Sequence, residues 1–388
     1  MWSSILLAST LLINLSTPQS FDPNQANLQT FDLALVGTDR STNNASYHNP
    51  ISTVNAGDPF VLRHEDWYFL TYTTNDNITL KRSRSLTDNW DFAESQVVFK
   101  PDASSGEPWS TDVVMGPELH HISQKWYIIF TATPDKDAPP PLQDAKCPIN
   151  CPAVNHRMFV LESSGPDAWT STYALRSTLD TFDQFAIDGT YFHHADQIYH
   201  IYSCWEDTYS AWPANLCITR MSDPLTINST LSERAIISVP DEPWEQVPRG
   251  RPVRLATNEG PQQLVNPHTG QNFVVYSAAR VDTPFYCLGY LELVGDDPMI
   301  PCSWRKHREG CVFQQNPDAG VYGTGHASFT VSPDGTEHYV VYHAQTTDQP
   351  KSNLYRTIRT QKFTWGENGA PTFPAALNGP FDVPRGQN

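Results

Sequence analysis

One apolar segment type recurs five times along the chain: WYFLTYT from Trp67, WYIIFTA from Trp126, IYHIYSC from Ile198, NFVVYSA from Asn272 and HYVVYHA from His338. The starts lie 59, 72, 74 and 66 residues apart. Each segment is aromatic and β-branched, which predicts a strand, and each ends in a small or hydroxylated residue. A turn signal precedes each one, at Glu65-Asp66, Ser123-Gln124, Ala195-Asp196, His268-Thr269-Gly270 and Asp334-Gly335. Before each turn stands another short apolar run: FVLRH, LHHI, TYFHH, PQQLV and SFTVS. The unit is a β-hairpin, five times over. A repeat of about 65 residues leaves room for two more strands per unit. The pattern predicts an all-β, five-bladed β-propeller, with four-stranded antiparallel blades around a central axis. The 44 residues from Gln345 onward suffice to finish the fifth blade and close the ring, but not for an appended β-sandwich. Thr133 to His156, with Ala138-Pro139-Pro140-Pro141 and two cysteines, reads as a loop insertion in the second blade.

Ahead of each central strand stands a polar residue in a distinctive setting. These are Asp58 in Gly-Asp-Pro, Glu118 in Gly-Pro-Glu, Asp188 in Ile-Asp-Gly-Thr, Glu259 in Asn-Glu-Gly-Pro and His326 in Gly-His-Ala-Ser. The first strand of a propeller blade is innermost, so the same place in five blades points at one axis. Four carboxyl groups and one imidazole are expected to converge there. Asp and Glu beside Gly and Pro also cap turns, and one such residue alone would mean little. Like charges held close raise one another's pKa, a cost no fold needs. Clustered carboxyls with divergent pKa values are what glycoside hydrolysis requires, one protonated to release the leaving oxygen and one ionised to activate water.

Composition narrows the partners. With 25 basic and 42 acidic residues the net charge is -17, which repels nucleic acid and other polyanions while a neutral substrate is not penalised. No apolar run is long enough to cross a bilayer, so no membrane partner is expected. Ile5 to Leu15 form a short apolar segment followed by Ser16-Thr17-Pro18-Gln19-Ser20, which reads as a secretory signal peptide over 1–20, with residues 21–388 forming one propeller domain. Sequons at Asn44, Asn77 and Asn228 are compatible with export. Seven cysteines should largely pair outside the cell. Cys147–Cys151 and Cys204–Cys217 are candidate pairs, and Cys287, Cys302 and Cys311 leave one odd thiol. None of these Cys and His spacings is that of a structural zinc site.

The ordered motifs Asp58-Pro59, Gly116-Pro117-Glu118-Leu119-His120-His121, Ile187-Asp188-Gly189-Thr190, Glu259-Gly260-Pro261, Gly325-His326-Ala327-Ser328-Phe329 and Tyr342-His343-Ala344 resemble glycoside hydrolase family 43. The resemblance spans Asp58 to Trp365 and implies a five-bladed propeller that hydrolyses glycosides with inversion. It implies Asp58 as general base, Glu259 as general acid, and Asp188 as the residue that raises and orients the acid. Glu118 follows Met115-Gly116-Pro117 where the family usually has Trp-Ala-Pro, and is a candidate sugar contact. His326 matches an axial histidine that contacts a water or a bound cation, or serves as a hydrogen-bonded structural group. No cofactor is required. Trp205, after the third hairpin, and Trp109, in the loop before Glu118, are candidate sugar platforms, with core packing the alternative. Arg356 and Arg359 both stand where the family brings an arginine toward the pocket, and the sequence does not choose between them.

Segments such as MFVLES, NEGPQQLV and YSAARVDTPFYCLGYL look most like single-domain α-L-arabinofuranosidases. The expectation is a secreted, monomeric enzyme releasing arabinose from plant cell-wall polysaccharide. A β-xylosidase or endo-arabinanase of the same fold is the alternative, and a non-catalytic carbohydrate-binding propeller is the alternative class.

Overall fold

A computed structural model of the chain describes residues 45–102, 114–133, 156–206, 213–246, 256–349 and 355–387. The segment read as a signal peptide, the Asn44 sequon, Trp109, Cys147 and Cys151 lie outside these residues.

The five predicted hairpins are the first two strands of five antiparallel sheets. Blade 1 comprises Gly57–His64, Trp67–Thr73, Ile78–Ser83 and Glu94–Phe99. Blade 2 comprises Val114–Ile122, Lys125–Ala132, Arg157–Ser163 and Tyr173–Thr178. Blade 4 comprises Asn258–Val265, Asn272–Ala278, Cys287–Leu293 and Trp304–Lys306, and blade 5 Tyr322–Val331, His338–Gln345, Thr357–Trp365 and Pro371–Thr372. Blade 3 departs from the four-strand expectation. Outside Ala186–His194, Gln197–Cys204 and Asn215–Asp223, two short strands, Thr226–Ile227 and Ala235–Ser238, share the edge of the third. The inner strands neighbour one another in cyclic order, which makes the sheets a ring.

The apolar core is not central. It lies in five wedges, one between each pair of adjacent blades. Side chains alternate across a strand, so each middle strand feeds two wedges. In blade 2, Ile128 and Phe130 pack toward blade 1 while Ile129 packs toward blade 3. In blade 4, Val274 and Tyr276 face blade 3, and Phe273 and Val275 face blade 5. Both faces of these sheets are covered, so the strands read as unbroken apolar runs. Burying each large side chain contributes about 1.5–3 kcal/mol. The ring closes where Ser46–Tyr47 pairs with Phe381–Asp382. Asn49 then exchanges two hydrogen bonds of 2.9 Å with the backbone of Thr360 in blade 5. The residues after Gln345 thus complete blade 5 and the closure, as their number predicts.

A bulge at the head of every inner strand sets the axis. Pairing slips between Gly57 and Phe60, Met115 and Glu118, Ile187 and Thr190, Glu259 and Gln262, and Gly325 and Ser328. The residue just inside each slip has left-handed backbone: Asp58 (φ 57°), Gly116 (52°), Asp188 (54°), Gly260 (56°) and His326 (46°). That conformation costs a non-glycine residue about 1–3 kcal/mol, so the three side chains are held there against strain. The polar residue near the end of each middle strand latches the next blade. Thr73 accepts the Gly116 N–H (2.8 Å), Thr131 that of Asp188 (3.0 Å), Ser277 that of His326 (2.7 Å), and His343 Nδ1 that of Asp58 (3.1 Å). Ser203 donates instead to the carbonyl of Asn258 (2.9 Å).

Thr131→Val keeps the shape but strands the buried Asp188 N–H. It is expected to lower unfolding free energy by about 1–3 kcal/mol, the cost of an unsatisfied buried donor. Equilibrium urea unfolding measures this, and an unchanged midpoint would mean that another group holds that N–H.

Candidate active site

The register corrects one expectation. Asp58, Asp188 and His326 occupy equivalent places, but Glu259 stands one residue earlier on its bulge and Glu118 two residues later. The equivalents in blades 2 and 4 are Gly116 and Gly260. Room beside Gly260 is taken by His326, whose ring would lie 3.2 Å from a Cβ added there.

Four groups meet on the axis. Asp58 Oδ1 accepts from Arg356 Nη1 (2.7 Å) and faces His326 Nδ1 (3.1 Å), and Oδ2 accepts from the Thr73 hydroxyl (2.6 Å). His326 Nδ1 also stands 3.9 Å from Asp188 Oδ2. Glu259 Oε1 accepts from the Tyr286 hydroxyl (2.8 Å). Asp58, Asp188 and His326 are each under a tenth exposed, while Glu259 is more open.

The charges decide which acid keeps a proton. Burial would raise the Asp58 pKa, but Arg356, His326 and His343 hold it well below the usual carboxylate range. Burial would lower that of His326, but Asp58, Asp188 and Glu259 raise it to about 9. His343 is pushed well below its ordinary value by burial and then by Arg356, which suits a neutral ring accepting the Asp58 N–H. Asp188 rises to about 6, through burial and the charges of Asp58 and Glu118, against the pull of His326. Glu259 rises to about 7, through burial and then Asp188. Glu118 has its own partners in His120 and Gln262, and among the other groups two cations, Arg356 and His326, balance two carboxylates. The third carboxyl stays protonated, and Glu259, whose side-chain partner is a neutral phenol, is the one the field selects.

The structure chooses between the two arginines. Arg356 reaches Asp58, and its guanidinium lies so close over Gly57 that a Cβ there would come within 1.9 Å of it. Arg359 is buried within blade 5 and donates to Asn378 (2.6 Å). Glu118 reaches the axis with its carboxylate already committed, to Gln262 and to His120 Nε2 (2.9 Å). At 2% exposed it is walled in rather than presented to a sugar. Trp205 is likewise 1% exposed and stacks on Phe185, centroids 4.2 Å apart, so core packing replaces the sugar platform. His326 turns Nδ1 to Asp58, so that nitrogen is already engaged. Among the described residues no group of three or more His, Cys, Asp or Glu is arranged to hold a metal ion. Two partners escaped the sequence: Tyr286, whose only signal is its place beside Cys287, and Thr73, hidden in a strand-end pattern shared by all five blades. The disulfides are Cys204–Cys217 and Cys287–Cys311, leaving Cys302 as the odd thiol among the described residues.

Known proteins carry the same arrangement of chain. The chain is 31% identical over 350 residues to Alpha-L-arabinofuranosidase B of Pyricularia oryzae, covering 87% of this chain and 65% of that protein. It is 32% identical over 339 residues to an extracellular exo-alpha-(1->5)-L-arabinofuranosidase of Streptomyces avermitilis, covering 84% and 63%. It thus spans a little under two thirds of the length of these curated relatives. The crystal structure of alpha-L-arabinofuranosidase from Lactobacillus brevis matches with a TM-score of 0.71 at 27% identity, over 86% of this chain and 97% of that one. A family model described as Glycosyl hydrolases family 43 matches residues 47–371, and the chain belongs to that family.

Proposed function

We propose that the protein is an inverting α-L-arabinofuranosidase that releases arabinose from plant cell-wall polysaccharide. The observation that carries this reading is the axial cluster in which Arg356 and His326 flank the Asp58 carboxylate while Glu259 meets the neutral Tyr286 hydroxyl, an arrangement that lowers the pKa of one acid and leaves that of the other raised, as glycoside hydrolysis demands. Glu259 donates its proton to the glycosidic oxygen as the bond to the anomeric carbon breaks. Asp58 takes a proton from the water that attacks the opposite face. Asp188 keeps Glu259 protonated by its charge. Afterwards Asp58 carries a proton and Glu259 a charge, and exchange with solvent restores both. The arabinofuranosidase names of the relatives support the choice of sugar. The extracellular relative and the two disulfides support secretion. Because one chain closes the ring, the reading requires no second copy.

Inversion is supported by placement. Asp58 belongs to blade 1 and Glu259 to blade 4, with the His326 ring of blade 5 between those blades. This arrangement favours the roughly 6.5–9.5 Å carboxyl separation that admits a water over the roughly 5–5.5 Å of retaining enzymes. Proton NMR of the first-formed sugar is expected to show β-arabinofuranose from an α-arabinofuranoside, before mutarotation. Retained configuration, or transfer to added methanol, would contradict the assigned roles.

Turnover needs Glu259 protonated, so kcat/KM is expected to fall as pH rises through about 7. Asp58, titrating well below the usual carboxylate range, leaves the base ionised far to the acid side. Asp58→Asn, Asp188→Asn and Glu259→Gln are each expected to fold and to lose roughly 100- to 10,000-fold in rate. In Asp188→Asn the charge that raises Glu259 is gone, so the alkaline limb of the residual activity moves to lower pH. A pH–rate series on α-1,5-linked arabinobiose, whose alcohol leaving group needs the proton, measures both effects. An alkaline limb left in place would remove Asp188 from its assigned role.

A further inference from the structure

Beside the inner-strand head of blade 4 lies a buried ionic network that, among the described residues, the inner-strand heads at the equivalent place in the other four blades do not have. Glu245 is fully buried, yet its carboxylate carries five hydrogen bonds. Oε1 accepts from Asn258 Nδ2 (2.9 Å), the Tyr276 hydroxyl (2.8 Å) and Lys306 Nζ (3.0 Å). Oε2 accepts from Lys306 Nζ (3.0 Å) and the Glu242 N–H (3.0 Å). Lys306, itself 7% exposed, also bonds Asp241 (3.1 Å). Asn258 is held at every polar atom: its N–H by Ala214 O (2.9 Å), its carbonyl by Ser203 (2.9 Å), its Oδ1 by Ser238 (2.6 Å) and its Nδ2 by Glu245.

Taking an ion pair out of water costs more than well-packed apolar groups in its place, and the fold itself does not ask for it. By register, the residues equivalent to Asn258 are Ala56, Val114, Ala186 and Thr324. Those four heads close their blades with no such network. What distinguishes blade 4 is the next residue, Glu259. The network also grips Tyr276, the residue before Ser277, which latches His326. It therefore clamps the backbone beside two members of the axial cluster from the outer side of the blade.

We infer that Asn258, anchored by Glu245 and Lys306, is a positioning residue that aims the Glu259 carboxyl at the leaving-group oxygen. This rests on Glu259 being the proton donor. Asn258→Ala restores the side chain that blades 1 and 3 use at this place, so it folds, and circular dichroism checks that it has. Misaiming the acid costs most where the leaving group needs a proton. On α-1,5-linked arabinobiose, which must leave as an alcohol, kcat is expected to fall by about tenfold to 100-fold with KM little changed. On p-nitrophenyl α-L-arabinofuranoside, whose phenolate leaves with little help, the loss is smaller. Tyr276→Phe removes one anchor of Glu245 and should repeat the pattern at reduced size. An equal loss on both substrates, or none, would overturn the inference while leaving the hydrolase reading intact. Carbon-13 NMR of the Glu259 carboxyl gives a readout that does not need turnover. A titration midpoint that falls in Asn258→Ala supports the clamp, and one unmoved by the substitution contradicts it even if the wild-type protein cleaves no arabinoside.

Discussion

With Glu118 taken up by His120 and Gln262, three carboxyl groups, Asp58, Asp188 and Glu259, share the buried axis of this ring with two cations, and the rest of the site follows from that inequality. In a low-dielectric interior an uncompensated charge is costly. Arg356 and Asp58 form the tightest pair, at 2.7 Å, and His326 stands between Asp58 and Asp188. Once those charges are matched, the remaining carboxyl is more stable protonated. Glu259 meets a neutral hydroxyl rather than a cation, so the proton stays there. An acid and a base on one axis are thus produced by charge balance and need no exotic chemistry.

A propeller can keep such a cluster because its apolar material lies elsewhere. The five wedges between blades hold the ring together, and the axis is left lined by inner-strand edges. The bulges then turn Asp58, Asp188 and His326 inward in a backbone conformation that costs each of them stability. Latches from Thr131, Ser277 and His343 fix the N–H groups of those residues across blade boundaries. The same latch in blade 1, Thr73, also bonds the Asp58 carboxylate, so fold and site share a hydroxyl.

Much of this was legible in the chain. Five aromatic hairpins at near-regular spacing define the ring because strand periodicity and turn chemistry are local properties. The acids were legible as a set for the same reason, each sitting beside Gly or Pro at the head of an inner strand. Their offsets were not, since a bulge shifts register by a residue without changing composition. Glu118 and Glu259 therefore looked equivalent to Asp58 and are not. The choice of Arg356 over Arg359 depends on where the chain enters its strand and on the space above Gly57, which only the folded blade defines. In sequence Trp205 suits a sugar platform or core packing equally, and in space it is covered by Phe185. The Glu245–Asn258–Lys306 network joins residues far apart in the chain and leaves no local trace.

The charge count is tested most directly by locating the protons. Neutron diffraction from crystals held slightly below neutral pH should show a deuteron on Glu259, deuterons on both nitrogens of His326, and none on Asp58. A deuteron on Asp58, or a bare Glu259 carboxylate beside a neutral His326, would contradict the balance on which the assignment of acid and base depends.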